Sequence, residues 1–356
     1  MPMRVLLAGG GSGGSSAPVL AVAQELRRRG ECEFLYVGTA GGPEQELVAR
    51  HDIPFTTVQT GKLRRYWSWQ NLVDIFKIPL GLGQSLRLVA SFRPDVAFAA
   101  GGFAAVPPLL AANLLRVPTV IHQQDVEPGL ANKILAPFAA AITVTFPGSL
   151  AHFPGSKTAV TGNPVRQEIL TGSREEARRL FDLKDSLPVV LVTGGGTGAM
   201  GLNRLTALAA SELCLRCQLL HITGRDKGVD GTDLGPNYHQ MEFLAEGMGH
   251  VLAAAELVVS RAGLSTLTEL ATLGKPSILI PMPQSHQEAN AAVFSRGNAA
   301  LVLQEDELTG EELAEAILSL LEDRERLSAM SERARGLMSP LAETRIADEI
   351  EKVAHR

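Results

Sequence analysis

The sequence predicts an α/β protein of two domains, each built on a parallel sheet, and three observations carry that prediction. Its 356 residues exceed one ordinary domain and suit two, each able to bury its own core. Strand-like apolar runs recur along the chain, each ending in a glycine loop and followed by a helical pattern, which is the order of parallel α/β units. The pattern then starts afresh: strand, glycine loop and helix open the chain at Val5 and open a second series at Val189.

In the first series, Val5 to Ala8 reads as a strand, Gly9 to Gly14 as a loop, and Val19 to Arg29 as a helix; further strands are expected at Phe34 to Val37, Val96 to Ala99, Thr119 to His122 and Ile142 to Thr145. The second series runs through Val189 to Val192, the loop Gly194 to Gly198, a helix from about Leu202, and strands at Gln218 to Thr223, Leu257 to Ser260 and Ser277 to Pro281. The boundary is expected near Gly162-Asn163-Pro164, with Arg174 to Phe181 as a helix leading into the second series. The predicted division is residues 1–162, 163–338, and a last charged helical stretch, 339–356, that returns to the first domain after a break at Pro340.

Composition narrows the function. The chain is 45% hydrophobic and 20% charged with 35 glycines, the profile of a soluble fold rich in tight turns. A net charge of −5 gives no general attraction for polyanions, so no nucleic-acid partner is expected. The most apolar stretch, Val96 to Ile121, is interrupted by Gly101, Gly102, Pro107, Pro108, Asn113 and Arg116 and does not supply the roughly 20 apolar residues of a spanning helix. The first residues show neither a basic leader nor a small-residue cleavage site, which predicts a cytoplasmic protein. Three cysteines make no disulfide framework. Cys214 and Cys217 form one C-x-x-C pair inside an apolar run, so buried structural thiols are expected rather than a redox or zinc site.

Two segments carry chemistry. Gly9-Gly10-Gly11-Ser12-Gly13-Gly14 lets backbone approach a diphosphate, a sugar or another element without Cβ interference, and equally suits a tight structural turn. A dinucleotide fingerprint is disfavoured: the spacing is not G-x-G-x-x-G, and the strand ending at Gly38 lacks the acidic residue that would take a ribose. Ser260-Arg261-Ala262-Gly263-Leu264-Ser265-Thr266-Leu267-Thr268-Glu269 opens a helix after a strand, and places a guanidinium beside free backbone N–H groups where a departing diphosphate would gather charge. Glu269, two turns in, is able to accept both hydroxyls of a ribose. The competing reading is a helix cap with a surface Arg and Glu.

Seven motifs in order resemble one family. They are Gly9 to Gly14 with Pro18; Gly101-Gly102-Phe103 with Pro107; His122 to Asp125 with Gly129 to Lys133; Gly162-Asn163-Pro164-Val165-Arg166; Gly194 to Gly198; Arg261 to Glu269; and His286-Gln287 with Asn290-Ala291. From first strand to last helix the chain resembles the MurG family, which transfers N-acetylglucosamine from UDP-N-acetylglucosamine to a polyprenyl-diphosphate-linked muramyl-pentapeptide in peptidoglycan synthesis. The resemblance implies a GT-B fold, two Rossmann-like domains facing each other across a cleft, with donor in the C-terminal domain and acceptor in the N-terminal one. It implies uracil near Phe243, Leu244 and Met248, ribose on Glu269, diphosphate on Arg261, Gly263, Leu264, Ser265, Thr266 and the loop containing Gly195, Gly196 and Thr197, and sugar hydroxyls on Gln287 and Asn290. Ser12, Gly13, Gly14, Gly102, Asn132 and Arg166 fall on the acceptor side. No cofactor and no metal are implied; no D-x-D pair is present, so Arg261 and helix-end dipoles take the place of a divalent ion.

Two departures stand out. Family members usually carry His directly after the first glycine loop, as the favoured base, whereas this chain has Ser15; and a His-Glu-Gln-Asn tetrad here reads His122-Gln123-Gln124-Asp125. Asp125 is the leading replacement base, with Glu127 behind it, and the competing reading of Asp125 is a loop cap. The segment from Lys62 to Leu88 mixes Arg64, Arg65, Lys77 and Arg87 with Trp67, Trp69, Ile75, Phe76, Leu80 and Leu82, suiting either an anionic membrane surface, where a lipid-linked acceptor lies, or a helix docked on the core. The expected protein is an inverting transferase, peripheral on the inner face of the cell membrane. A related transferase with a different acceptor, and a nucleotide-sugar-binding protein without catalysis, remain as alternatives.

Overall fold

The structure is a computed structural model. It describes every residue except Met1, Gly11, Ser12, Pro43, 61–68, Thr197, 230–233, Ala245 and Arg356, and for Gly13 and 69–78 it describes the backbone alone. The chain divides into two compact units, Met1–Val165 with Pro340–Arg356, and Arg166–Ser339.

The first unit alternates strand and helix: β1 (Met3–Ala8), α1 (Gly13–Arg29), β2 (Cys32–Gly38), α2 (Glu44–Ala49), β3 (Phe55–Thr57), α3 (Trp69–Phe92), β4 (Val96–Ala99), α4 (Val106–Leu114), β5 (Thr119–Gln123), α5 (Leu130–Leu135), β6 (Ala141–Val144) and β7 (Thr158–Val160). Its described strands form one parallel sheet in the order β3-β2-β1-β4-β5-β6-β7. Strands buried on both faces read as continuous apolar runs, and Val5, Leu6, Leu7, Val96, Ala97 and Phe98 are all fully buried. Alternate positions along each strand feed separate cores. Val5, Leu7, Val96 and Phe98 meet α1, while Leu6, Ala8, Ala97 and Ala99 meet a layer holding Leu109 and Ala112 of α4. The helix expected from Val19 begins at Gly13; Pro18 only removes one bond of its first turns, to Gly14. In the described part of α3, Leu82, Leu86, Leu88 and Phe92 pack on the second of these layers.

The second unit contains α6 (Gln167–Leu170), α7 (Arg174–Phe181), β8 (Val189–Thr193), α8 (Met200–Leu213), β9 (Gln218–Ile222), β10 (Tyr238–Met241), α9 (Met248–Ala254), β11 (Leu257–Ser260), α10 (Leu264–Leu273), β12 (Ser277–Leu279), α11 (His286–Arg296), β13 (Ala300–Val302), α12 (Gly310–Glu322) and α13 (Arg324–Leu337). Its described strands are parallel in the order β10-β9-β8-β11-β12-β13. Cys214 and Cys217 lie buried in its core as free thiols, pushed up by burial to about 11 and about 12, so they are inert at neutral pH.

The last helix, α14 (Ala342–Ala354), belongs to the first unit. Ile346, Ala347, Ile350 and Val353 enter the core beside α1. Arg29 fastens the outer side, donating to Asp348, Glu351 and the Thr344 carbonyl, while Glu25 takes a fourth hydrogen bond from the same guanidinium.

Candidate active site

In a doubly wound sheet, ligands bind at the carboxyl ends of the strands where the strand order reverses. The first sheet reverses between β1 and β4, the second between β8 and β11. Each reversal is flanked by one of the glycine loops singled out in the sequence.

In the second unit, the loop after β8 carries Gly195 and Gly196 and the loop after β11 carries Arg261, Ala262 and Gly263. The two approach each other: a Cβ on Gly195 would lie 3.8 Å from the Thr266 hydroxyl. Gly263 caps α10 with no side-chain cap bond, and the first intrahelical bond from this turn is Leu267 N to Gly263 O. The N–H groups of Leu264, Ser265 and Thr266 therefore stand ready for an anion, aided by the helix dipole. Arg261 is 9% exposed; its Nη1 donates to the carbonyls of Ile280 and Pro281, and its Nη2 to Glu305 at 2.6 Å. The guanidinium is thus fixed by three protein acceptors.

Glu269 lies on the same helix, 8% exposed, and one of its oxygens accepts both Nε and Nη2 of Arg166 at 3.0 and 2.7 Å. Burial pushes its carboxyl up and the guanidinium opposes that shift. Arg166, expected on the acceptor side, belongs to the second unit and is the partner of Glu269. The motif around Asn163 straddles the end of one unit and the start of the next, so residues three apart serve different units. Phe243 and Leu244 follow β10 at the edge of the sheet; Phe243 is 47% exposed with the Arg225 guanidinium 4.8 Å above its ring, and Met248 opens α9 half-buried. Gln287 accepts from the Met282 N–H at 3.0 Å. Asn290 is fully buried and donates to the Ala262 carbonyl at 3.2 Å, which braces the loop after β11. Thr197 lies outside the described residues.

The first unit's reversal is built mainly from glycine, amides and hydroxyls. Gly101 and Gly102 follow β4, and Gly102 has φ 85°; a Cβ on it would stand 2.7 Å from the Gly10 carbonyl oxygen and 3.3 Å from Ser15 Oγ. Only glycine permits that approach. Gly13 and Gly14 form the start of α1, and Ser15 in the same turn is 7% exposed. Ser12 lies outside the described residues. Asn132, 3% exposed on α5, donates to the His122 carbonyl at 3.0 Å and to Gln123 Oε1 at 2.7 Å, while its own Oδ1 is buried without a partner. A buried acceptor in that condition is costly, and a ligand hydroxyl would relieve it. His122 is fully buried between Thr143 and Asn163; burial lowers it to about 4, so it is a neutral support and no proton acceptor for an acceptor hydroxyl. Gln123 Nε2 donates to the Asp125 and Glu127 carbonyls and holds the turn from which Asp125 projects, half-buried.

Three functional-site residues escaped the sequence reading. Glu44, fully buried beneath the first glycine loop, accepts from Thr39 N at 2.8 Å and Thr39 Oγ1 at 2.5 Å, and its Oε2 has no partner. Its only sequence signal is a carboxylate directly after Gly41-Gly42-Pro43. Glu305 is hidden in the acidic run Glu305-Asp306-Glu307, which reads as a solvated face. Arg225 has no signal that separates it from other surface arginines. Among the described residues, no group of three or more His, Cys, Asp or Glu is arranged to hold a metal, and no helix is long and apolar enough to cross a membrane.

Comparison with known proteins assigns this arrangement. Residues 5–144 match the glycosyltransferase family 28 N-terminal domain and residues 189–350 its C-terminal domain. The chain is 34% identical over 362 residues to a UDP-N-acetylglucosamine--N-acetylmuramyl-(pentapeptide) pyrophosphoryl-undecaprenol N-acetylglucosamine transferase of Clostridium perfringens, covering 99% of both chains, and 34% identical over 325 residues to the transferase of the same name from Clostridium botulinum, covering 90% of this chain and 92% of that one. The structure resembles Acinetobacter baumannii MurG with a TM-score of 0.77 and 28% identity, covering 99% of this chain and 100% of the other. A glycosyltransferase of kitacinnamycin, 18% identical with a TM-score of 0.74 and 99% coverage of each, shares the fold. With two parallel-sheet domains of the GT-B type and relatives matched nearly end to end, the chain belongs to the MurG family of family 28 glycosyltransferases.

Proposed function

We propose that this enzyme moves N-acetylglucosamine from UDP-N-acetylglucosamine to a polyprenyl-diphosphate-linked muramyl-pentapeptide, with inversion and without a metal. The observation that carries the reading is the second unit's strand reversal, where Arg261 and the open N-terminus of α10 converge beside the Gly195 loop, in a chain 34% identical to relatives named for that reaction. The acceptor hydroxyl oxygen attacks the anomeric carbon, the bond to the diphosphate breaks, and the electron pair leaves with UDP. Charge gathering on the departing diphosphate is offset by Arg261 and by the N–H groups of Leu264, Ser265 and Thr266. Glu269, oriented by Arg166, takes the ribose hydroxyls, Phe243, Leu244 and Met248 border the base, and Gln287 faces the sugar.

On the acceptor side, the partnerless Oδ1 of Asn132 and the close-packed Gly10 and Gly102 support a site for the lipid-linked sugar. Asp125 takes the hydroxyl proton, since Ser15 has no base adjacent in sequence and His122 is buried. Exposed apolar side chains lie on neighbouring elements of this unit, Leu80 on α3, Leu114 on α4 and Ile134 on α5, among exposed Arg87, Arg116 and Lys133. A surface of that kind suits the inner face of an anionic membrane, where the acceptor lies. Of the basic-aromatic segment that motivated this reading, Lys62, Arg64, Arg65 and Trp67 are outside the described residues, as are the side chains of Trp69, Ile75, Phe76 and Lys77.

The test is transfer of labelled N-acetylglucosamine to lipid-linked muramyl-pentapeptide in anionic vesicles. UDP release that requires the acceptor supports the reading. A second reading, donor binding without catalysis, is favoured by the hydroxyl at Ser15 where the family base stands. Tight UDP binding with no turnover on muramyl-pentapeptide, diacylglycerol or small-sugar acceptors would establish it.

A further inference from the structure

Arg261 is the cation on which the donor reading rests, and it already has a counter-ion. Its Nη2 donates to Glu305 Oε1 at 2.6 Å, and the two side chains are 10% and 18% exposed. The pair is built in on every described side. Nη1 is held by the Ile280 and Pro281 carbonyls at 3.1 and 3.2 Å. Glu305 sits in a short turn, Glu305–Glu307, after β13. Gly201, in the first turn of α8, presses on both: a Cβ there would run into Glu305 Oε1 and stand 3.3 Å from Arg261 Nη2. The sequence has no side chain at the place where the ion pair needs room. Among the described residues, these three hydrogen bonds leave two of the five guanidinium N–H donors for a ligand.

We propose that Glu305 is an affinity-setting residue for the diphosphate, an internal carboxylate that offsets Arg261 before the donor arrives and repels the diphosphate once it is bound. The inference rests on the reading that Arg261 meets the diphosphate. Two anions, one built in and one brought by the substrate, share a single buried cation. The ground state is held less tightly than a bare arginine would hold it, and spent UDP leaves more readily. Uridine, which carries no phosphate, is indifferent to the pair.

Glu305→Gln keeps an oxygen for Nη2 and removes the charge. Calorimetric titration of the full chain is expected to show UDP binding tightened by about five- to tenfold, with uridine binding unchanged and the gain shrinking as salt rises. In an Arg261→Ala background the same substitution is expected to have no effect on UDP. Glu305→Asp, which shortens the arm, gives a smaller gain in the same direction and serves if the Gln variant does not fold. Unchanged or weaker UDP binding in a folded Glu305→Gln protein, or equal shifts for UDP and uridine, would overturn the proposal. The two failures separate: if Arg261→Ala itself leaves UDP binding intact, the diphosphate reading falls; if Arg261→Ala loses UDP while Glu305→Gln changes nothing, only the counter-ion falls.

Discussion

The two strand reversals share a topology and differ in chemistry. Six strands of each sheet correspond, β3-β2-β1-β4-β5-β6 in the first unit and β10-β9-β8-β11-β12-β13 in the second, and each reversal has a glycine loop on one side and a loop-to-helix turn on the other. The second gathers two ion pairs, Arg261 with Glu305 and Arg166 with Glu269. The first offers amides, hydroxyls and close-packed glycine, with one buried carboxylate, Glu44, beneath the loop. A diphosphate needs charge and tolerates little variation in where it sits; a sugar hydroxyl needs hydrogen-bond acceptors and space. On the proposed reading, one scaffold serves a donor and an acceptor by changing the side chains at one place in the sheet.

The comparison makes predictions that break it most sharply at the reacting groups. Asp125→Asn is expected to lower kcat by about 10²–10⁴, the range of a lost general base, and turnover left intact in a stopped transfer assay would return Asp125 to the role of a loop cap. Arg261→Ala, on the other unit, is expected to lower kcat/KM by about 10²–10³, the range for removing one donor to developing charge.

Stability offers a subtler contrast, because both units bury a histidine in their polar support. His122 lies between Thr143 and Asn163, and His221 between Asn203 and Tyr238; burial lowers each to about 4. Both rings stay neutral in the folded chain and take a proton near the ordinary value of 6.5 only when unfolded. Stability is therefore full above about pH 6.5 and falls as pH drops towards 4, by about 3 kcal/mol per ring. Urea midpoints measured across that window should fall, and His122→Gln should flatten the first unit's share of the slope. The smallest effect belongs to Ser15→Ala, expected to change turnover by less than about threefold, since a serine hydroxyl with no base adjacent in sequence takes no proton near neutral pH; a loss of 10² would make Ser15 part of the chemistry.

Much of this division was legible in the residues. Val5 to Ala8, Val96 to Ala99 and Leu257 to Ser260 read as strands because they are buried on both faces, leaving an uninterrupted apolar run. The strands that went unread are β3, β7, β10 and β13, the outermost strands of both sheets. An edge strand has one neighbour and a partly wetted face, so Phe55–Thr57 and Tyr238–Met241 carry no such run. At the sites, Arg261 and Glu269 stood out because their helix opens directly after a strand. Glu305 and Glu44 did not, since each becomes part of a site only through contacts made by folding, Glu305 with a residue 44 positions earlier and Glu44 under a loop formed by the first glycines. The pairing of Arg166 with Glu269 went unread for a related reason, since it joins residues 103 positions apart.

The division of labour between the two reversals is tested most directly by one calorimetric titration of UDP into three full-length proteins: the unaltered chain, Asp125→Asn and Arg261→Ala. The account predicts that Asp125→Asn binds UDP as the unaltered chain does, while Arg261→Ala weakens it by about 2 kcal/mol or more. UDP binding that survives in Arg261→Ala, or that is lost in Asp125→Asn, would contradict it.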